Sequence, residues 1–207
     1  MQEYPVQTLL PRGLKELRAL SIAYTSKTGS IYAHDPALKL NSLLLDMTLL
    51  LGLKKRGQGI DVDFDNEFIP AEKSDALYSY KKKRGYFPGV MTSGPLIIGL
   101  EDRQGNSNVK FEQVEELSRM LDNIEAHGLY VRMFRADCGS FIKDLVEELF
   151  MRTETFYLRA GSCADRRQMY EQCTEWRPTV VNGQEMEVAS FEFTDFLSDR
   201  LLVGLRI

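Results

Sequence analysis

The sequence predicts an α/β protein in which a mixed β-sheet is flanked by helices, and three observations carry that reading. Residues 59–65 alternate strictly: Ile60, Val62 and Phe64 fall on one side and Asp61, Asp63 and Asp65 on the other, the period of a half-buried strand. Residues 111–127 place Phe111, Val114, Leu117, Leu121 and Ile124 three and four apart, with Gly128 behind them, which is the stripe and stop of an amphipathic helix. Two further apolar runs precede that helix and a strand–helix–strand alternation follows it, an order that suits a mixed sheet with helical cover.

Each element has its own local reason. Residues 1–30 are mixed, with a short helical candidate around Leu14, Leu17 and Leu20 and a loop at 26–30. Asp35 is a good N-cap and Pro36 suits a first helical turn. A helix should follow, bearing Leu40, Leu43, Leu44, Met47, Leu50 and Leu51. Those residues lie on more than one face, so the helix is expected to be sandwiched. After the 59–65 strand, further strands are expected at 85–91 and 95–100, and the polar stretch 101–108 reads as a turn. Residues 130–136 form a strand ending before Asp137, Ser140 can cap a helix carrying Phe141, Leu145, Val146 and Leu149, and 155–159 is a short strand. A polar helix at 164–173 and strands at 179–181, 187–193 and the C-terminus complete the chain.

Composition bounds what such a fold can do. The chain has 207 residues, 43% of them hydrophobic and 27% charged, with 26 Lys and Arg against 30 Asp and Glu. A net charge of -4 excludes affinity from a uniformly basic surface, yet leaves room for nucleic acid at a site built from carboxylates and cations. Three cysteines and two histidines, with no CxxC pair, argue against a disulfide framework and a zinc site and favour a reducing cytosol. The most apolar stretch, 43–53, is about half a bilayer span and contains Asp46, and the N-terminus lacks a signal-peptide pattern. A soluble, cytoplasmic protein is expected, with no membrane partner.

Three features can bear chemistry. Asp61, Asp63 and Asp65 share a strand face at about 7 Å intervals, and three like charges in a row invite a divalent cation; a solvated acidic edge strand is the plainer reading. Asp137 ends a strand, where sites collect in open sheets, although a turn residue would look the same. Lys81, Lys82, Lys83 and Arg84 form a basic patch with Tyr78, Tyr80 and Tyr86 around it, fit for a phosphate backbone or for simple solvation.

Taken together, Asp61 and Asp63, then Lys83 to Tyr86, then Gly105 and Asn106, then Arg135 to Phe141, resemble the catalytic core of bacterial insertion-sequence transposases of the DDE type, more narrowly the transposase DDE domain group 1 proteins. The resemblance spans residues 35–160. It implies an RNase H-like fold, with residues 1–57 an N-terminal helical segment, 58–160 the first part of the core, and 161–207 a β-rich insertion. It also implies a two-Mg²⁺ site in which Asp137 is the second acid and Asp63 or Asp61 the first; Asp63 is preferred for its place nearer mid-strand, with Asp61 in support. DNA contacts fall to Lys81, Lys82, Lys83, Arg84 and Tyr86, and the partners implied are double-stranded transposon ends near the nucleoid, with a homodimer permitted.

The family's third acid sits in a Y-x-x-R-x-x-x-E segment, and no tyrosine here has arginine three residues later. The sequence is therefore expected to be a truncated frame that binds Mg²⁺ weakly and does not transpose. A non-catalytic DNA-binding or oligomerisation remnant, regulating a full-length relative, is the alternative.

Overall fold

The computed structural model describes residues 22–25, 31–193 and 200–206. In chain order these form β1 (Ile22–Thr25), β2 (Ile31–Asp35), α1 (Leu38–Leu50), β3 (Gly59–Asn66), β4 (Ile69–Pro70), β5 (Leu77–Tyr78), β6 (Arg84–Tyr86), β7 (Gly89–Ser93), β8 (Leu96–Arg103), α2 (Gln113–Ala126), β9 (Tyr130–Ala136), α3 (Lys143–Arg152), β10 (Thr153–Leu158), α4 (Ala164–Gln172), β11 (Arg177–Val181), β12 (Gln184–Phe193) and β13 (Arg200–Arg206).

The alternating segment is the centre of the main sheet, whose strand order is β1-β2-β8-β7-β3-β9-β10. β3, β7 and β8 run antiparallel in sequence, whereas β9 lies parallel to β3 and β10 parallel to β9. Three meandering strands followed by two parallel crossovers on the far side of the first strand is the RNase H-like arrangement. The fold class predicted from the sequence is therefore the one found.

Alternation decides which face is buried. Ile60, Val62 and Phe64 turn inward with Met91, Ile98, Val131 and Phe134, and α1, α2 and α3 cover them with Leu45, Leu117, Leu121, Ile124, Leu145 and Leu149. The aspartates of β3 are thereby held on the other face. Where β2 no longer pairs with β8, the side chain of Asn41 takes over the role of a strand. Its Nδ2 donates to Leu100 O at 2.8 Å, and its Oδ1 accepts from Leu100 N at 2.8 Å. A buried backbone amide and carbonyl left without these partners would cost about 1–3 kcal/mol.

Several expectations are corrected. The described part of residues 1–57 holds two strands besides its helix; the Leu14–Leu17–Leu20 candidate lies outside the described residues. α1 begins at Leu38: Asp35 Oδ1 instead accepts the Ala37 N–H at 3.0 Å, and Ala37 itself is left-handed (φ 47°). α1 buries Asn41, Leu45 and Thr48, while Leu43, Met47, Leu50 and Leu51 are exposed, so among the described residues it is covered on one face and not sandwiched. The run 101–108 opens as strand, because β8 continues through Glu101, Asp102 and Arg103. Ser140 is not a helix cap. α3 starts at Lys143 after Ile142, which makes no side-chain cap bond, and Asp137 caps the short turn Cys138–Ser140 instead.

The chain divides after Arg159 into two compact units. The second, Ala160–Ile207, contains α4, with no buried residue, and an antiparallel sheet in the order β11-β12-β13. Its first hairpin turns on Asn182 and Gly183, at φ 51° and 78°, the left-handed pair that a two-residue hairpin prefers. Trp176 donates from Nε1 to Cys173 O at 3.1 Å and packs edge-on against Tyr170. No helix among the described residues is long and apolar enough to cross a membrane.

Candidate functional site

Parallel register decides which acids meet. β3 and β9 pair Asp61 with Met133, Asp63 with Arg135 and, last, Phe64 with Ala136, so Asp65 and Asp137 each follow the final pair, and the charge of Asp137 reaches the Asp65 carboxyl. A bulge between Ile60 and Asp61 leaves Arg132 out of register, and its side chain turns onto Asp61.

The three aspartates consequently differ. Arg132 holds Asp61 through Nε–Oδ1 at 2.8 Å and Nη2–Oδ2 at 2.6 Å, and these hydrogen bonds keep that carboxyl below the usual aspartate range. Arg135 grips Asp63 in the same two-pronged way, Nε–Oδ1 at 2.6 Å and Nη2–Oδ2 at 2.7 Å. Each guanidinium occupies both oxygens of its carboxylate, the geometry in which arginine pairs best. No such pair reaches Asp65 among the described residues. Partial burial pushes its carboxyl up; a hydrogen bond from the Asn66 N–H draws it part of the way back, and the charges of Asp137 and Glu67 push it up again, so that the net shift is upward. The repulsion expected along this strand is thus neutralised by arginine at two positions and left standing at the third.

Asp137 is fixed from its own turn. Its Oδ1 accepts the Gly139 N–H at 2.7 Å, and Ser140 N donates to Asp137 O at 3.2 Å. A Cβ on Gly139 would sit 2.9 Å from Oδ1 and 3.5 Å from Val109, so the bare glycine lets the carboxylate fold back over the turn. Cys138 beside it is an exposed free thiol.

The turn 104–108 packs against β6. Gly105 N donates to Gly85 O at 3.0 Å, and Tyr86 bridges to Gln104. A Cβ on Gly105 would collide with the carbonyl oxygens of Gly85 and Leu77, and one on Gly85 with that of Ile69. The two motif glycines are therefore one feature, a backbone-to-backbone contact between β6 and the turn after β8. Gly105→Ala is expected to cost about 1–3 kcal/mol as overpacking, measured by urea denaturation, and a change within 0.5 kcal/mol would contradict the close approach.

The basic patch occupies the small sheet β4-β6-β5, which leaves the main sheet at Asn66 and re-enters it at Gly89, at the Asp65 end of β3. Lys81 Nζ lies 5.7 Å from the ring centres of Phe68 and Tyr80 and 6.0 Å from that of Phe87. Arg84 donates from Nε to Ala76 O at 3.0 Å and lies over Tyr78. Lys82 and Lys83 are exposed, as are Tyr78 and Tyr80, at 67% and 75%; Tyr86 is half-buried in β6. Among the described residues no group of three His, Cys, Asp or Glu is placed to hold a metal ion.

Asp65 is the residue that sequence reasoning passed over. Its signal was the spacing itself: in a parallel pair, the two-residue step from Arg135 to Asp137 matches the step from Asp63 to Asp65, so pairing arginine with the first leaves acid facing acid.

No family model matches the chain, and no curated protein matches it. Among solved structures, the cryo-EM structure of the piggyBac transposase synaptic complex with hairpin DNA is similar over 72% of this chain and 33% of that one, with 11% identity and a TM-score of 0.41.

Proposed function

We propose that this chain supplies the first two metal ligands of a DDE-type transposase core and acts on the phosphodiester backbone of DNA, with Asp65 as the first acid and Asp137 as the second. The supporting observation is that the β3–β9 register ends at Phe64 and Ala136, so that two exposed carboxylates, Asp65 and Asp137, follow at neighbouring ends of parallel strands, within reach of each other's charge and, among the described residues, without an arginine paired to Asp65. Hard oxygen donors with unrelieved mutual repulsion suit Mg²⁺, which takes one or two carboxylates and keeps several waters. When bound, Mg²⁺ would polarise a phosphodiester and its attacking oxygen. The chain's own contribution is placement: Gly139 orients the Asp137 carboxylate, β3 holds Asp65 on the last rungs of its ladder, and Arg132 and Arg135 confine Asp61 and Asp63 to ion pairs.

The test uses Mn²⁺ as probe on the ¹⁵N-labelled chain. Paramagnetic broadening is expected first at the amides of residues 65–67 and 137–139. Broadening centred on residues 61–63, or spread over the surface acids, would overturn the assignment.

The small basic sheet is the proposed backbone contact. Changing Lys82 and Lys83 to Ala together is expected to weaken binding of duplex DNA evenly across sequences and to flatten the dependence of log Kd on log salt by about 1 per lost contact. An unchanged slope would remove these lysines from the interface.

A non-catalytic DNA-binding role has one observation in its favour, the absence of a third metal-ligating group beside the pair among the described residues. It predicts DNA binding that survives Asp65→Asn with Asp137→Asn and does not respond to Mg²⁺. The catalytic reading predicts that any metal-dependent nicking is lost in that double variant.

A further inference from the structure

Behind the two acids lies a buried side chain that touches both of the segments presenting them. Gln113, the first residue of α2, is 1% exposed. Its Nε2 donates to Asn66 Oδ1 at 3.2 Å and to Ser140 Oγ at 3.1 Å. Asn66 directly follows Asp65 on the last rung of β3, opposite Gly89. Ser140 closes the turn that Asp137 caps, and is itself 1% exposed.

Both hydrogens of a single planar amide are thus committed, one to each acidic segment. The spacing of the two acceptors is therefore set by one rigid group. The anchor of that amide is also fixed: Arg103 Nη2 donates to Glu112 O at 3.1 Å, immediately before the helix begins. On the other side, the Glu116 carboxylate, one helical turn on, lies against Gly89, where a Cβ would collide with it.

We infer that Gln113 is a positioning residue that sets the separation of Asp65 and Asp137 from beneath the site. It rests on the metal-binding reading above. Gln113 touches neither a metal nor DNA; it acts through Asn66 and Ser140. Groups that orient ligands from behind typically change metal affinity 10- to 100-fold when removed.

The experiment compares the full chain with Gln113→Met, which keeps length and loses both donors, and with Ser140→Ala, which removes one acceptor and spares the buried amide. Three quantities are read at a temperature well below each variant's Tm: Mn²⁺ affinity from amide broadening, amide hydrogen exchange at 65–67 and 137–140, and Tm. The wild type is read first. If its residues 65 and 137 are not broadened by Mn²⁺, the proposed function fails and the role of Gln113 fails with it. If they are, Gln113→Met is expected to bind Mn²⁺ about tenfold more weakly, with faster exchange at both segments and unchanged exchange in the middle of β3 and β9. Ser140→Ala is expected to bind two- to fivefold more weakly, with faster exchange at 137–140 alone. Mn²⁺ affinity within twofold of wild type in Gln113→Met would overturn the inference, even with a lowered Tm, because the residue would then be structural only. Unaltered exchange at the two segments would overturn it as well, whatever the metal does.

Discussion

Asp65→Asn is expected to abolish saturable Mn²⁺ binding at the strand ends, whereas Asp63→Asn leaves it within about threefold of wild type. The two residues sit two apart on one strand face with the same chemistry, and they differ in the partner across the sheet. Asp63 faces Arg135, which engages both its oxygens, and a cation could reach them only by displacing a guanidinium. Asp65 faces Asp137, and the cation would relieve a repulsion instead of breaking an attraction. Stability should move in the opposite sense to binding. A carboxyl pushed up in the folded protein disfavours folding once the pH exceeds its ordinary value, because the native state then holds a proton that the unfolded chain releases. Removing that charge at Asp65 therefore gains a little stability at pH 7, below 1 kcal/mol given its exposure to solvent. Asp63→Asn loses an exposed ion pair and should cost no more than about 1 kcal/mol. Calorimetric titration with Mn²⁺ and urea denaturation of both variants check this. If Asp63→Asn loses the metal while Asp65→Asn keeps it, the register argument is wrong.

How much of this was legible beforehand depends on whether the information was local. The alternation of residues 59–65 and the stripe of residues 111–127 are local; the strand was found with the face expected, and the helix, which begins at Gln113 and leaves Phe111 outside it, buries Leu117, Leu121 and Ile124 as expected but Gln113 and Glu116 as well. The choice of Asp63 over Asp61 was made within one strand, whereas which aspartate lies toward Asp137 is a matter of cross-strand register, which one strand's sequence does not contain, although the two-residue steps of 63–65 and 135–137 match. The stretch beginning at Glu101 reads as a polar turn because charged residues are seldom fully buried. It is instead the end of β8, with Glu101 and Arg103 buried against one another. The Leu-rich α1 misleads in the other direction. Its buried positions include Asn41 and Thr48, because the helix meets the open edge of β8, where a side-chain amide is needed more than another apolar group. Ser140 sits where a helix cap is expected, yet its hydroxyl faces Gln113, a partner 27 residues away in the chain.

Arg103→Met is expected to be the most destabilising single change in the first unit, at about 3–5 kcal/mol, the range for removing one partner of a buried charge cluster. Arg103 is 1% exposed. Its Nε lies 3.4 Å from Glu101 Oε1 and its Nη2 3.1 Å from Glu116 Oε2, while Nη1 and Nη2 also donate to the carbonyls of Val109 and Glu112. Glu101 retains Arg119 in the variant, through hydrogen bonds from Nε at 3.2 Å and Nη2 at 2.5 Å. Among the described residues Glu116 retains no arginine at ion-pair distance. Burial, only partly offset by Arg103, already raises that carboxyl to about 8 from its usual 4.5. Between these two values the unfolded chain gives up a proton that the folded chain keeps, so wild-type stability falls as pH rises from about 4.5 to about 8. Without Arg103 the ionised form loses its attraction, and the fall extends to higher pH. Glu116→Gln, neutral throughout, should remove the slope: little change in Tm at pH 5, and a Tm above wild type at pH 8. Thermal melts of wild type, Arg103→Met and Glu116→Gln at the two pH values decide the matter. A loss under 1 kcal/mol for Arg103→Met, or equal Tm shifts for Glu116→Gln at both pH values, would mean that this cluster is hydrated and screened. Because Arg103 also carries the carbonyls of Val109, against which Gly139 packs, and of Glu112, which precedes Gln113, its loss should reach Asp137 as well. The amides of residues 137–140 should then broaden or shift with Arg103→Met even where the sheet itself remains folded.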